Sequence, residues 1–203
     1  MKFKIGNCIG EVLIDRVNSM YSPNPPYGYE KITAEMYFNN KWQKLSPRHT
    51  GELTNPKANN LLTLWNNLRV WEGDVDKNGN PTAEYLAKRN ERLKIGDYWN
   101  QTRKNPLYYY WEGRKLNRSE AMREVYIPIY LDYVLKTDLY AELKKRVRAG
   151  RNLLILGYQA TKYSSINDMD GKKLKKLCFS PSKRFVNAHI LAGLLTDNHV
   201  WEE

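Results

Sequence analysis

At 203 residues, 41% hydrophobic and 12% aromatic, the chain is long enough to bury a sizeable core and too apolar for disorder to be the expectation. No run of about 18 apolar residues occurs, which excludes an obvious membrane span. The formal net charge is +11 and is unevenly placed: residues 1–100 hold 14 Lys/Arg against 11 Asp/Glu, whereas residues 101–203 hold 19 against 11.

The segments KFKI and EVLIDRV alternate apolar and polar side chains and predict half-buried strands. The following NSMYSPNPPYGYE carries three prolines and a glycine and predicts a loop. KITAEMYF and KWQKLS flank Asn39-Asn40, a pair tolerant of positive φ, and predict a hairpin. Residues 59–71, NNLLTLWNNLRVW, predict an amphipathic helix with Leu61, Leu64, Trp65, Leu68 and Trp71 on its core face. GDVDKNGNPTAEYLAKRNERL reads as turns and a short helix. Asn117 and Glu120 form a capping box for a helix to about Val125, and Pro128 predicts a kink or two abutting helices. Thr137-Asp138 caps DLYAELKKRVRA, with Gly150 at the position after its end. RNLLILGYQ reads as a buried strand, and SPSKRFVNAHILAGLLTDN as a last helix with Ser182 near its start and Asp197-Asn198 near its end. Strands and helices mix without a βαβ repeat. The expectation is therefore a single α+β domain over 1–203, strand-rich over 1–46 and helical over 47–203.

Several motifs bear on chemistry. DVDKNGNP resembles the start of a calcium loop, but the position needing a bidentate carboxylate falls on Tyr85, so an Asx/Gly turn is the expectation and no metal is called for. Cys8 and Cys178 have no metal-site spacing and suit a reducing compartment. The opening MKFKIGNCIGEV lacks the apolar stretch of a secretory signal, so a cytoplasmic location is expected. His49, His189 and His199 have no paired metal spacing and no adjacent nucleophile motif. The basic runs KKRVRAGR and KKLKKL can hold phosphates or be solvated surface; the second is placed in a loop. YYYWEGRK at 108–115 can stack bases if exposed, or form a core edge with extended cations if buried. On the predicted helix, Asn59, Leu62, Asn66 and Arg69 make a second face, which can bind a flat anion or tie down a neighbouring loop.

NLLTLWNNLRVW, with the preceding KLSP, resembles the NADAR-superfamily segment that reads roughly Glu-x-x-aromatic-Gln-x-x-Lys, and most resembles a bacterial and phage branch with a helix like NLENFWQSSKVY. NGNPTAEYLAKR, EAMREVYIPIYLDYVLKT and FVNAHILAGLLTDNHVW have lookalikes there, in order, over roughly residues 44 to 201. The superfamily holds N-glycosidases associated with riboflavin biosynthesis and hydrolases that process ADP-ribose. By the resemblance Trp65 keeps the aromatic, Asn66 replaces glutamine, Arg69 replaces lysine, and Leu62 stands at the glutamate. GYQATKY stands where the branch is acidic, and Asn187 where it often has histidine, while Gly193 persists. The resemblance implies a NADAR fold and a ligand site of Trp65, Asn66, Arg69 and Asn187 that binds a nucleotide-like or ADP-ribosyl-like anion. Without the glutamate, N-glycosidase chemistry is expected to be reduced or lost, because an oxocarbenium-like transition state needs a carboxylate. No catalytic residue and no cofactor is assigned. An active N-glycosidase would take its acid from Glu84, Glu112, Glu120 or Asp132. A third reading is a basic nucleic-acid-binding or virion-associated protein, acting in host cytoplasm if phage-encoded.

Overall fold

The computed structural model describes residues 10–17, 22–34, 40–54, 57–96, 105–158, 160 and 171–202. The predicted strand KFKI, Cys8, Asn39 and much of KITAEMYF and GYQATKY lie outside them. Met1–Ser46 with Leu131–Glu203 form one compact unit and Pro47–Tyr130 another. The architecture is α+β, with helices, a parallel sheet and small antiparallel ladders.

The first unit opens with strand β1 (Val12–Val17), as EVLIDRV predicts, and strand β2 (Tyr29–Thr33) after the proline-rich loop. The predicted hairpin does not form, because its second arm, Lys41–Leu45, is a 3-10 helix. Asn40 accounts for this: its Oδ1 accepts the Trp42 N–H at 2.8 Å, a local bond that competes with strand pairing. The 3-10 spacing then buries Trp42 and Leu45 together.

The second unit begins with a two-residue ladder, β3 (Leu53–Thr54) on β4 (Lys57–Ala58). Helix α1 spans Leu61–Asn67, started by Asn60, whose Oδ1 accepts the Thr63 N–H at 2.9 Å. It is shorter than 59–71 predicts, because Arg69–Val70 form strand β5. The helix end is closed from outside. Tyr85 Oη shares its one proton between Arg69 O at 2.7 Å and Asn67 O at 3.2 Å, and the Tyr110 N–H donates to Leu68 O at 2.7 Å. These bonds satisfy carbonyls that a longer helix would have satisfied itself. The predicted apolar stripe is nevertheless buried in full, from Leu61 to Trp71.

Asp76 forms the expected Asx turn, its Oδ1 accepting the N–H groups of Asn78 and Asn80. Thr82 caps helix α2 (Ala83–Ile95), which Gly96 ends at φ 78°. Strands β6 (Tyr108–Trp111) and β7 (Arg114–Leu116) make a hairpin in which Glu112 and Gly113 both take positive φ, as a two-residue turn requires. Only Tyr109 of β6 is buried and its neighbours are half-buried, so the YYYW part of YYYWEGRK is a core edge. Trp65 packs on this strand, its ring 4.7 Å from Tyr109 and 5.2 Å from Tyr126. The Asn117/Glu120 capping box starts helix α3 (Arg118–Ala121). A π-helical turn over Met122–Tyr126 leads into helix α4 (Ile127–Val134). Pro128 lacks an N–H and crowds the carbonyl four residues back; the π turn takes up that mismatch, so the chain continues as helix through the expected kink.

The chain re-enters the first unit within α4. Thr137 caps helix α5 (Asp138–Arg148), and Gly150 follows at φ 84°. Strand β8 (Asn152–Tyr158) lies between β1 and β2, parallel to both, with Ile155 registered against Ile14 and Ile32. Full flanking explains its continuous apolar run. KKLKKL is helical and not a loop: helix α6 (Gly171–Cys178) buries Leu174, Leu177 and Cys178, a spacing that places all three on one face. Helix α7 (Asn187–Leu195) starts five residues beyond Ser182 and is buried throughout. Its first turn sits against Gly157, where a Cβ would lie 2.7 Å from the Ala188 Cβ. Among the described residues no helix is long and apolar enough to cross a membrane.

Candidate functional site

Trp65, Asn66 and Arg69 lie in the Pro47–Tyr130 unit, and Asn187 in the other. Trp65 is 5% exposed and belongs to the aromatic core. Asn66 is buried, its Nδ2 donating to Leu62 O at 2.9 Å, and Asn67 bonds Thr63 O in the same way. Arg69 is not on the helix with Asn66; it is a half-buried residue of β5. Asn187 is buried at the start of α7, its Nδ2 3.4 Å from Ala34 O. The four alternative carboxylates have local partners or positions. Glu84 pairs with Lys88, Asp132 with Lys136, Glu120 closes its capping box, and Glu112 sits in the hairpin turn.

A cleft of about 640 Å³ opens within the other unit, lined from α4, α5 and the end of α7. Leu131, Leu135 and Leu194 give it an apolar wall. Tyr140, Ala141, Lys144, Lys145 and Arg148 line it from α5, a spacing that makes one continuous helix face. Asp197, His199, Trp201 and Glu202 close it.

The last of these groups are positioned by the way α7 ends. Thr196 Oγ1 donates to Ala192 O at 2.8 Å, and the Asn198 N–H donates to Gly193 O at 2.8 Å. A Cβ on Gly193 would lie 2.7 Å from Asn198 O and 2.9 Å from the Trp201 ring. The missing side chain is thus what seats the indole. Trp201 then stacks on His199, centroids 5.6 Å apart and planes 14° from parallel.

Lys144 is buried, and its Nζ donates to Leu194 O at 2.8 Å, Leu195 O at 3.1 Å and Asp197 Oδ1 at 2.6 Å. Three acceptors match the three protons of an ammonium, so Lys144 clasps the end of α7. Asp197 takes φ 56°, rare for a residue with a side chain. The Lys144 hydrogen bond, opposed in part by burial and helped by the charges of Lys144, Arg148 and His199, holds its carboxyl below the usual range. Lys145 and Arg148 are exposed at the mouth. Glu202 is 3.2 Å from His199 Nδ1.

The cleft therefore presents cations for an anion, an exposed imidazole stacked on a buried indole for a ring, and an ionised carboxylate that can accept hydroxyl protons. No family model, curated protein or solved structure matches this chain. Among the described residues no cluster of three His, Cys, Asp or Glu could hold a metal ion.

The sequence shows KKRVRAGR as a candidate to hold phosphate, but nothing local to the run joins it to HVWEE. The joinable signal was the helical spacing of Tyr140, Lys144 and Arg148. What brings Trp201 beside them is the turn at Gly193, a tertiary feature.

Proposed function

We propose that this protein binds a small nucleotide-like anion, ADP-ribosyl compounds included, in the cleft between α5 and the end of α7. One observation carries the reading: exposed Lys145 and Arg148 share a cleft with the stacked His199–Trp201 pair. Phosphate pairs with the guanidinium of Arg148 and the ammonium of Lys145. The base lies against the aromatic and leucine wall. Ribose hydroxyls donate to Asp197. The NADAR resemblance of the sequence supports the same ligand class. Asn66 commits its amide to Leu62 O and Trp65 packs in the aromatic core, so the reading puts the ligand in the cleft, where exposed His199 lies over the buried Trp201.

Calorimetry against AMP, NAD and ADP-ribose tests this. Binding at or below millimolar ligand is expected, weakened at least about tenfold in Arg148→Glu, since a charge-assisted hydrogen bond contributes about 1.5–3 kcal/mol. Absence of heat with all three ligands at millimolar concentration sinks the reading.

Asp197 favours a second reading, hydrolysis of an N-glycosidic bond. An ionised carboxylate at the sugar would stabilise an oxocarbenium-like transition state. Release of nicotinamide from NAD, or of base from nucleosides, and its loss in Asp197→Asn with ligand binding retained, is the outcome this reading requires. No turnover across that panel removes it.

A further inference from the structure

The surface beside the cleft is more basic than a mononucleotide requires. Helix α6 is seated by Leu174, Leu177 and Cys178 and leaves Lys172, Lys175 and Lys176 exposed. Lys175 Nζ is 3.5 Å from the backbone oxygen of Glu202, a residue that lines the cleft. Lys175 thus reaches the rim of the cleft that Lys145 and Arg148 line, and Lys172 and Lys176 stand on the same helix outside it. Of the cleft's carboxylates, Asp197 is paired with Lys144, and Glu202 sets one negative charge against the cations Lys145, Arg148, Lys172, Lys175 and Lys176. Lys175 also sits 5.6 Å from the centroid of the half-buried Phe179 ring. Beside the cleft the surface thus brings together the exposed lysines of α6 and the half-buried Phe179 ring, and within the cleft stand exposed His199, stacked on Trp201, with Lys145 and Arg148.

Alternation of backbone-holding cations with stacking rings is the physical signature of a single-strand site. A duplex keeps its bases stacked on each other and has no use for the rings. Lys172 and Lys176, four residues apart on α6, stand about 6 Å apart along the helix axis, and so form a row and not a point charge.

Resting on the nucleotide-binding reading of the cleft, we infer that the ligand is one nucleotide of a single-stranded nucleic acid, whose neighbouring phosphates lie along the lysines of α6. The cleft takes the unstacked nucleotide, and Lys172, Lys175 and Lys176 hold the strand that continues from it.

Fluorescence anisotropy with a fluorescein-labelled dodecathymidylate, set beside calorimetry with AMP, tests the inference on the full chain. The strand should bind at least about tenfold tighter than AMP in low salt, with affinity falling by a log–log slope of about 0.7 per phosphate contact. The triple variant Lys172→Gln, Lys175→Gln, Lys176→Gln should weaken the strand about tenfold or more and flatten the slope by about 2. Its AMP affinity should stay unchanged, and the matching Lys→Arg triple variant should restore strand binding. These three lysines are exposed, and an unchanged circular-dichroism melt checks that the fold survives. Equal affinity for strand and AMP overturns the inference while leaving the nucleotide reading standing. So does a strand affinity untouched by the triple variant, or equal binding of a duplex of the same length. If AMP does not bind and strand binding ignores Arg148→Glu, both fall together.

Discussion

Helix α1 and the end of helix α7 are both rich in amide and aromatic side chains, and they use them in opposite ways. In α1 the polar atoms turn back on the chain. Asn60 caps the first turn, Asn66 and Asn67 bond carbonyls one turn earlier, and Trp65 stacks inside the core. At the end of α7 the neutral groups also close the turn, through Thr196 and Asn198. The ionisable ones, Asp197, His199 and Glu202, are left facing a cleft. Carboxamides on a helix have unsatisfied carbonyls within reach of one turn. A carboxylate is an acceptor only and finds none of its partners there. The amides of α1 are spent on the helix itself, whereas the ionisable groups after α7 line a cleft.

The comparison breaks most visibly at Trp65. Trp65→Ala should cost about 3–5 kcal/mol, the range for deleting a buried aromatic, measured as the shift in urea midpoint at constant slope. A loss under about 1 kcal/mol would make Trp65 a pocket wall, and α1 would be a site after all.

The next effect separates buried from presented histidines. His189 is fully buried, its Nδ1 accepts the Val186 N–H at 3.1 Å, and burial pushes its pKa down from 6.5 to about 4. The folded protein therefore binds fewer protons than the unfolded chain between those values, and stability rises with pH there. Full stability is expected above pH 6.5, with a loss on the order of 3 kcal/mol on acidification to pH 4. Urea titrations from pH 7 to 4 should show the slope, and His189→Gln should flatten it. A wild-type stability level across that window refutes the buried neutral state.

What the sequence showed and hid divides along the same line. Local signals were legible: the Asn117/Glu120 box, the Thr137 cap, the Gly150 terminus and the apolar run of β8 all stand where the residues put them. The apolar stripe of residues 61 to 71 was legible even where the helix was not, because burial of Leu68 and Trp71 does not depend on their being helical. The early stop came from Tyr85 and Tyr110, which are distant in sequence and bond the last carbonyls. Asn40 does not tell a hairpin from a 3-10 start, because the same side chain suits a turn and a 3-10 cap. KKLKKL showed its charge but not its helix, whose three apolar contacts exist only with the core beside them. The cleft was hidden for a similar reason. Its cations were visible as a run, but the bend that delivers Trp201 depends on a bare Cα meeting an indole.

That bend can be tested by itself. Gly193→Ala should cost about 1–3 kcal/mol, as overpacking does, because its Cβ would meet Asn198 O at 2.7 Å, a backbone atom that no rotamer change can remove. If the variant folds, intrinsic tryptophan fluorescence should shift as Trp201 leaves its seat, and AMP affinity should fall with it. Gly73→Ala, where a Cβ meets nothing within 4 Å, is the control expected to leave both unchanged.

The smallest expected effect is the one that fixes what the cleft is for. Lys145 and Arg148 lie in the last turn of α5, where cations interact favourably with the helix dipole by about 0.3–1 kcal/mol each. If they are there only for the helix, replacing both by glutamine removes that much stability and nothing else changes. If they are there for an anion, the same double variant loses under about 2 kcal/mol of stability while ligand affinity falls at least about tenfold. Added phosphate should then raise the melting temperature of the wild type and not of the variant, since only a state that binds is stabilised by mass action. An equal response in the two proteins would return α5 to the same standing as α1, a helix whose polar residues serve its own fold.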